Sequence, residues 1–104
     1  MFRTYMNKGF HIKFSNGITL SVQFGPGDYC ENQNSMDYEK PKKVDRWESE
    51  DAEIAIWGEG GSWITKECLK ELYPEEEYFN DVKGHVTADE VADIVQWCKN
   101  KEVS

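Results

Sequence analysis

Apolar residues follow two periods along the chain. Phe10, Ile12 and Phe14 alternate with polar residues, Asn16-Gly17 interrupts, and Ile18, Leu20, Val22 and Phe24 resume the alternation. A period of two marks a strand buried on one side, and Asn-Gly supplies the positive-φ pair that a tight hairpin turn needs. Residues 10–24 therefore read as a β-hairpin, with His11, Lys13, Thr19, Ser21 and Gln23 on the polar face. A second alternation sets Ile54 and Ile56 against Ala55 and Trp57, and runs into the glycine-rich stretch Gly58 to Ser62. If that stretch is a five-residue loop, Trp57 faces Trp63 on one side while Ile56 faces Ile64 on the other. A four-residue loop would pair Ile56 with Trp63 instead. The first register keeps the isoleucines together and gives a second hairpin over about 52–65. It leaves the two tryptophans side by side, as part of a packed layer or as an exposed patch.

Beyond the second hairpin the period lengthens. Cys68, Leu69, Leu72 and Tyr73 share one helical side before Pro74, which predicts a short helix over about 66–73. Residues 75–81, "EEEYFND", follow as an acidic linker. Thr87 and Glu90 form a capping box, Val86 is placed to staple against Val91, and Val91, Ile94, Val95 and Cys98 keep the i, i+3, i+4, i+7 spacing. With Lys99 and Lys101 suited to a helix C-terminus, the last element is a helix over about 88–101. Strands preceding helices predict an α+β fold: an antiparallel sheet from two hairpins, covered by a short and a C-terminal helix. A chain of 104 residues fits a single domain, 1–104. Between the hairpins, residues 28–51 are dominated by charged and amide side chains, with "EKPKK" at their centre. Such a long polar loop is uncommon in a compact domain and is usually functional or mobile.

Charge sharpens this picture. Residues 1–27 hold Arg3, Lys8 and Lys13 and no acid, so a net charge of −8 for the chain leaves −11 on residues 28–104. An anionic surface of that strength repels nucleic acid and acidic membrane and attracts basic protein surfaces. No stretch approaches the roughly 20 apolar residues of a membrane span, and the opening residues lack a secretory pattern. The three cysteines, Cys30, Cys68 and Cys98, match neither a disulfide framework nor a metal motif. A cytoplasmic protein without a cofactor is the expectation.

Several chemistries can be weighed against the residues. A Walker-type phosphate loop needs a lysine and a hydroxyl opening a helix, whereas "GEGGSW" offers Glu59 and no lysine, so a hairpin turn fits better. At Gly25-Pro26-Gly27 the proline removes a donor N–H. No Cys or His pair has zinc-ligand spacing, and Cys68 and Cys98 sit on apolar helix faces as small hydrophobes. Cys30 with His11 or His85 has the parts for nucleophilic catalysis but no motif joining them. The twenty carboxylates make any single pair uninformative for hydrolysis. A more distinctive feature is the interleaving of acids with aromatics, which suits a contact surface in which rings anchor and charges steer a basic partner. The candidate contact residues are Trp47, Glu48, Trp57, Glu59, Trp63, Glu75, Glu76 and Glu77.

The segments "KGFHIKFSNGITLSVQFGPGDYC" and "DAEIAIWGEGG" resemble small, acidic, uncharacterised bacteriophage proteins. The resemblance covers the N-terminal half, brings no catalytic motif, and implies binding and inhibition of a host protein. The expected function is that of an acidic binding protein engaging a basic host protein such as a defence or nucleic-acid enzyme. Two alternatives stand beside it: an immunity-type protein neutralising one cognate toxin, and a small enzyme or ligand-binding domain using Cys30 with a histidine. An assembly subunit is a fourth.

Overall fold

A computed structural model of the protein describes residues 1–5, 8–25, 48–76 and 79–102. The elements follow as β1 (Phe2–Tyr5), β2 (Gly9–Lys13), β3 (Thr19–Gln23), β4 (Asp51–Trp57), α1 (Thr65–Leu72), β5 (Val82–Thr87) and α2 (Ala88–Asn100). All four strand pairings are antiparallel, and the spatial order β1-β2-β3-β4-β5 is the order of the sequence. This is the α+β architecture the alternation implies. Residues 28–47 of the expected polar loop, with Cys30 and Trp47, lie outside the described residues, as does Glu77.

The β2–β3 turn shows why Asn-Gly stands there. Gly17 takes φ +87, a conformation that costs a residue with a Cβ, and the turn closes through Phe14 N–H donating to the Ile18 carbonyl at 2.8 Å. The Asn16 side chain accepts from Ile18 N–H and donates from Nδ2 to the carbonyls of Cys98 (2.7 Å) and Lys101 (3.0 Å). One turn residue therefore satisfies orphan carbonyls at the C-terminus of α2 and ties the sheet to the helical layer.

Alternation puts Leu20 opposite Ile56 and Val22 opposite Ile54 on the same face. Both helices cover that face: Cys68 and Leu69 from α1 and Ile94 and Cys98 from α2 are fully or almost fully buried there, with Ile18 and Val86. Each large aliphatic so buried contributes about 1.5–3 kcal/mol. Burial pushes both helix thiols up to about 12, so they stay protonated and act as small hydrophobes. The capping box of α2 forms as its spacing indicates, with Thr87 Oγ1 accepting from Glu90 N–H and Glu90 Oε1 accepting from Thr87 N–H.

Three features depart from the sequence expectation. The hairpin expected over 52–65 has a strand in its first arm only: the chain returns through a single bridge, Trp57 to Trp63, and enters α1 at Thr65. The reason lies in Thr65, whose buried hydroxyl accepts from Ile56 N–H (2.9 Å) and lies 3.2 Å from the Ile56 carbonyl, beside the bond from Ile64 N–H to that carbonyl. A side chain thus meets the end of β4 where a second strand would have used backbone. The other two departures are strands β1 and β5, which flank the hairpin strands. In β5 the pairing with β4 shifts register between Ala52 and Ile54, and His85 adopts φ +54. No helix among the described residues is long and apolar enough to cross a membrane.

Candidate functional site at the aromatic tip

The glycine-rich stretch is a loop of five residues, Gly58 to Ser62, closed by Gly58 N–H donating to the Ser62 carbonyl and Gly61 N–H to the Gly58 carbonyl, both at 2.9 Å. Gly61 sits at φ +86 with open space around it. The loop sets Trp57 beside Trp63, with ring centroids 5.7 Å apart and planes inclined at 62°. His11, two strands away, also packs against Trp57, at 5.2 Å and 86°. Edge-to-face contacts of this kind fix ring orientation and add about 0.5–1.5 kcal/mol each. Trp57 is half-buried between its neighbours, while Trp63 remains 52% exposed. The tryptophans thus lie on the face away from the helices, partly as a packed pair and partly as an exposed ring.

Glu59 is exposed at the crest of the loop. A Cβ on Gly17 would come within 2.8 Å of its Oε2, so the β2–β3 turn and the tryptophan loop lie against each other. Around Trp57 a cavity of about 250 Å³ opens on the face opposite α1 and α2, with Arg3, His11, Lys13, Thr19, Gly58 and Glu59 in its walls. Partial burial, and then the Arg3 guanidinium, lower the affinity of His11 for a proton, which favours the neutral imidazole at neutral pH. Arg3 and Lys13 are exposed and take part in no ion pair among the described residues.

The remaining expected contact residues are elsewhere. Glu48 precedes β4 and lines a cavity of about 390 Å³ with Val22, Phe24, Ala52, Val86 and Val91. β4, seven residues and about 20 Å long, runs from that end to Trp57, its last residue. Glu75 is exposed in the turn after α1. Glu76 beside it is partly buried and bound to Lys83 Nζ at 3.1 and 3.2 Å, so a structural ion pair takes up its charge. Of the sequence-derived set the structure brings Trp57, Glu59 and Trp63 together, and leaves Glu48 and the Glu75-Glu76 pair as separate acidic points.

Arg3, His11 and Lys13 join this surface although none of them was among the contact residues expected from the sequence. His11 and Lys13 were legible as polar-face residues of the first hairpin, but their approach to Trp57 depends on β3 and β4 being neighbours.

Neither histidine forms a nucleophile–base pair with a described hydroxyl. His85 Nδ1 lies 3.0 Å from Asp51 Oδ2, and Asp51 Oδ1 lies 3.4 Å from Ser49 Oγ, whose closest contact is the Asp51 carbonyl at 2.6 Å. The carboxylate stands between hydroxyl and imidazole, whereas a serine activated by histidine needs direct contact between them. No group of three or more His, Cys, Asp or Glu side chains suited to a metal occurs among the described residues. No family model matches the chain, and neither a curated protein nor a solved structure matches it.

Proposed function

We propose that this chain is a small, non-catalytic cytoplasmic binding protein. It docks on a basic surface of a host protein, such as a defence or nucleic-acid enzyme, and blocks it. The observation that carries this reading is Trp63, a tryptophan 52% exposed, seated against Trp57 and immediately after the bonded loop that carries Glu59. A ring held in place before docking loses little conformational freedom on binding, which is why tryptophans dominate interface energetics. Glu59 is exposed on the loop that leads into that anchor. The exposed carboxylates Glu48 and Glu75 do not touch the tip and contribute through the long-range field that speeds encounter with a cationic partner.

The test is capture of the partner from host lysate by tagged wild-type protein and by Trp63→Ala and Glu59→Lys variants, at low and roughly physiological salt. A basic protein retained stoichiometrically, weakened by salt and lost with either substitution, supports the reading. Retention of the same protein by both variants, or of nothing by wild type at either salt, sinks it.

A further inference from the structure

The cavity under Trp57 has a charge layout that docking by Trp63 does not use. The geometry points to a small-molecule site there, taking a single nucleotide whose base presents N–H donors, of the guanine type. Three walls carry the argument.

Arg3 on β1 and Lys13 on β2 stand at one side of the cavity, on adjacent strands and the same sheet face: Arg3 pairs with His11, two residues from Lys13 on β2. Both are exposed and neither is in an ion pair among the described residues. In a protein of net charge −8, two cations so placed form a local anion site, and a guanidinium beside an ammonium suits phosphate oxygens. A second wall is Trp57, whose ring is held by His11 and Trp63. An aromatic wall beside cations is the arrangement on which a nucleobase stacks while its phosphate is neutralised. Glu59 lines the cavity as well, on the loop that lies against the Asn16-Gly17 turn.

Glu59 decides between ligand classes. Its carboxylate only accepts hydrogen bonds and repels a plain anion, so inorganic phosphate or a simple dicarboxylate is a poor match. A ligand with its negative charge on Arg3 and Lys13 and adjacent N–H donors toward Glu59 satisfies all three walls, and guanine presents such donors along its pairing edge. The dimensions select a monomer: about 250 Å³ falls just under the usual range of small-molecule pockets, and the anionic surroundings oppose a longer polyanion.

The test is calorimetric titration of purified wild-type protein with guanosine monophosphate, guanosine and inorganic phosphate. Wild type is expected to bind the nucleotide saturably and the two fragments about tenfold more weakly. Charge reversal in Arg3→Glu/Lys13→Glu is expected to weaken nucleotide binding by about tenfold or more while leaving guanosine binding unchanged. Glu59→Gln moves the probes in opposite directions, weakening the nucleotide and leaving phosphate equal or tighter. All three positions are exposed, and circular dichroism confirms that the variants remain folded. Absence of saturable nucleotide binding, indifference of that binding to the double charge reversal, or phosphate binding as tightly as the nucleotide would each overturn the assignment. The readouts need no protein partner, so this assignment and the docking function stand or fall separately.

Discussion

The two faces of one sheet are built by the same strands and have opposite properties. On the covered face Leu20, Ile54 and Ile56 have no exposed surface, and α1 and α2 complete the core with Leu69 and Ile94. On the opposite face the same strands present His11, Lys13, Thr19 and Trp57 near the tip, with an exposed tryptophan at the loop end and two cations, Arg3 and Lys13, in no ion pair among the described residues, while Ser21, Gln23 and Ala55 further along are buried. At the tip the parity of the strand separates neighbours: Ile56 is fully buried, whereas Trp57 is half-buried on the opposite face. The expectation is that substitutions on the two faces separate cleanly into loss of folding and loss of binding.

The largest effect belongs to the covered face. Ile56→Ala is expected to destabilise by about 2–5 kcal/mol, through lost burial and the cavity left behind, and urea unfolding measures it. A loss under about 1 kcal/mol would mean the site can collapse and the core is less closely packed than described. Next comes the junction between the faces. Thr65→Val keeps the shape but leaves Ile56 N–H without its acceptor, at a cost of about 1–3 kcal/mol in the same assay. Unchanged stability would show that β4 and α1 are not joined there.

A smaller loss, about 1 kcal/mol, is expected for Thr87→Ala at the cap of α2. Thermal unfolding of that variant, with Glu90→Ala as the reciprocal partner, checks whether the capping box acts as a unit.

The smallest effect is the pH dependence of His11. Its pKa is lowered in the folded protein from the ordinary 6.5, chiefly by burial. The unfolded chain therefore takes up a proton as pH falls through 6.5 while the folded chain does not. Stability declines as pH falls from above that value toward the folded pKa, then levels off as the folded imidazole protonates too. Replacing His11 by Gln is expected to remove that contribution, and a pH series of unfolding midpoints that is identical for the two proteins would contradict it.

How much of this was readable depended on how far apart the partners lie in sequence. The β2–β3 hairpin, the five-residue loop with its tryptophan pairing, both helices and the capping box rest on contacts within a few residues, so composition and period reveal them. β1 has only four residues, and β5 interrupts its pattern with Gly84, a register shift and the positive φ of His85, so neither shows a clean alternation. Thr65 reads as a polar residue beside a helix until its hydroxyl is seen at the end of β4. Asn16 is visible as a turn former, but its bonds to the end of α2 reach across 82 and 85 residues. The same holds for the tip: Trp57, Glu59 and Trp63 are adjacent in sequence, whereas Arg3, His11 and Lys13 join them only through sheet order. Glu48 and Glu75 share their chemistry with Glu59 but not its location, and Glu76 was indistinguishable from them until its ion pair with Lys83 was seen.

The measurement that tests the central claim most directly is a paired one on Trp63→Ala: affinity for the captured partner and free energy of unfolding, on the same preparation. The account predicts an affinity loss of about tenfold or more with stability lowered by no more than about 1.5 kcal/mol, the worth of the ring contact with Trp57. Undiminished affinity, or a stability loss of several kcal/mol accounting for whatever binding is lost, would place Trp63 with the core and contradict the division of the sheet into a folding face and a contact face.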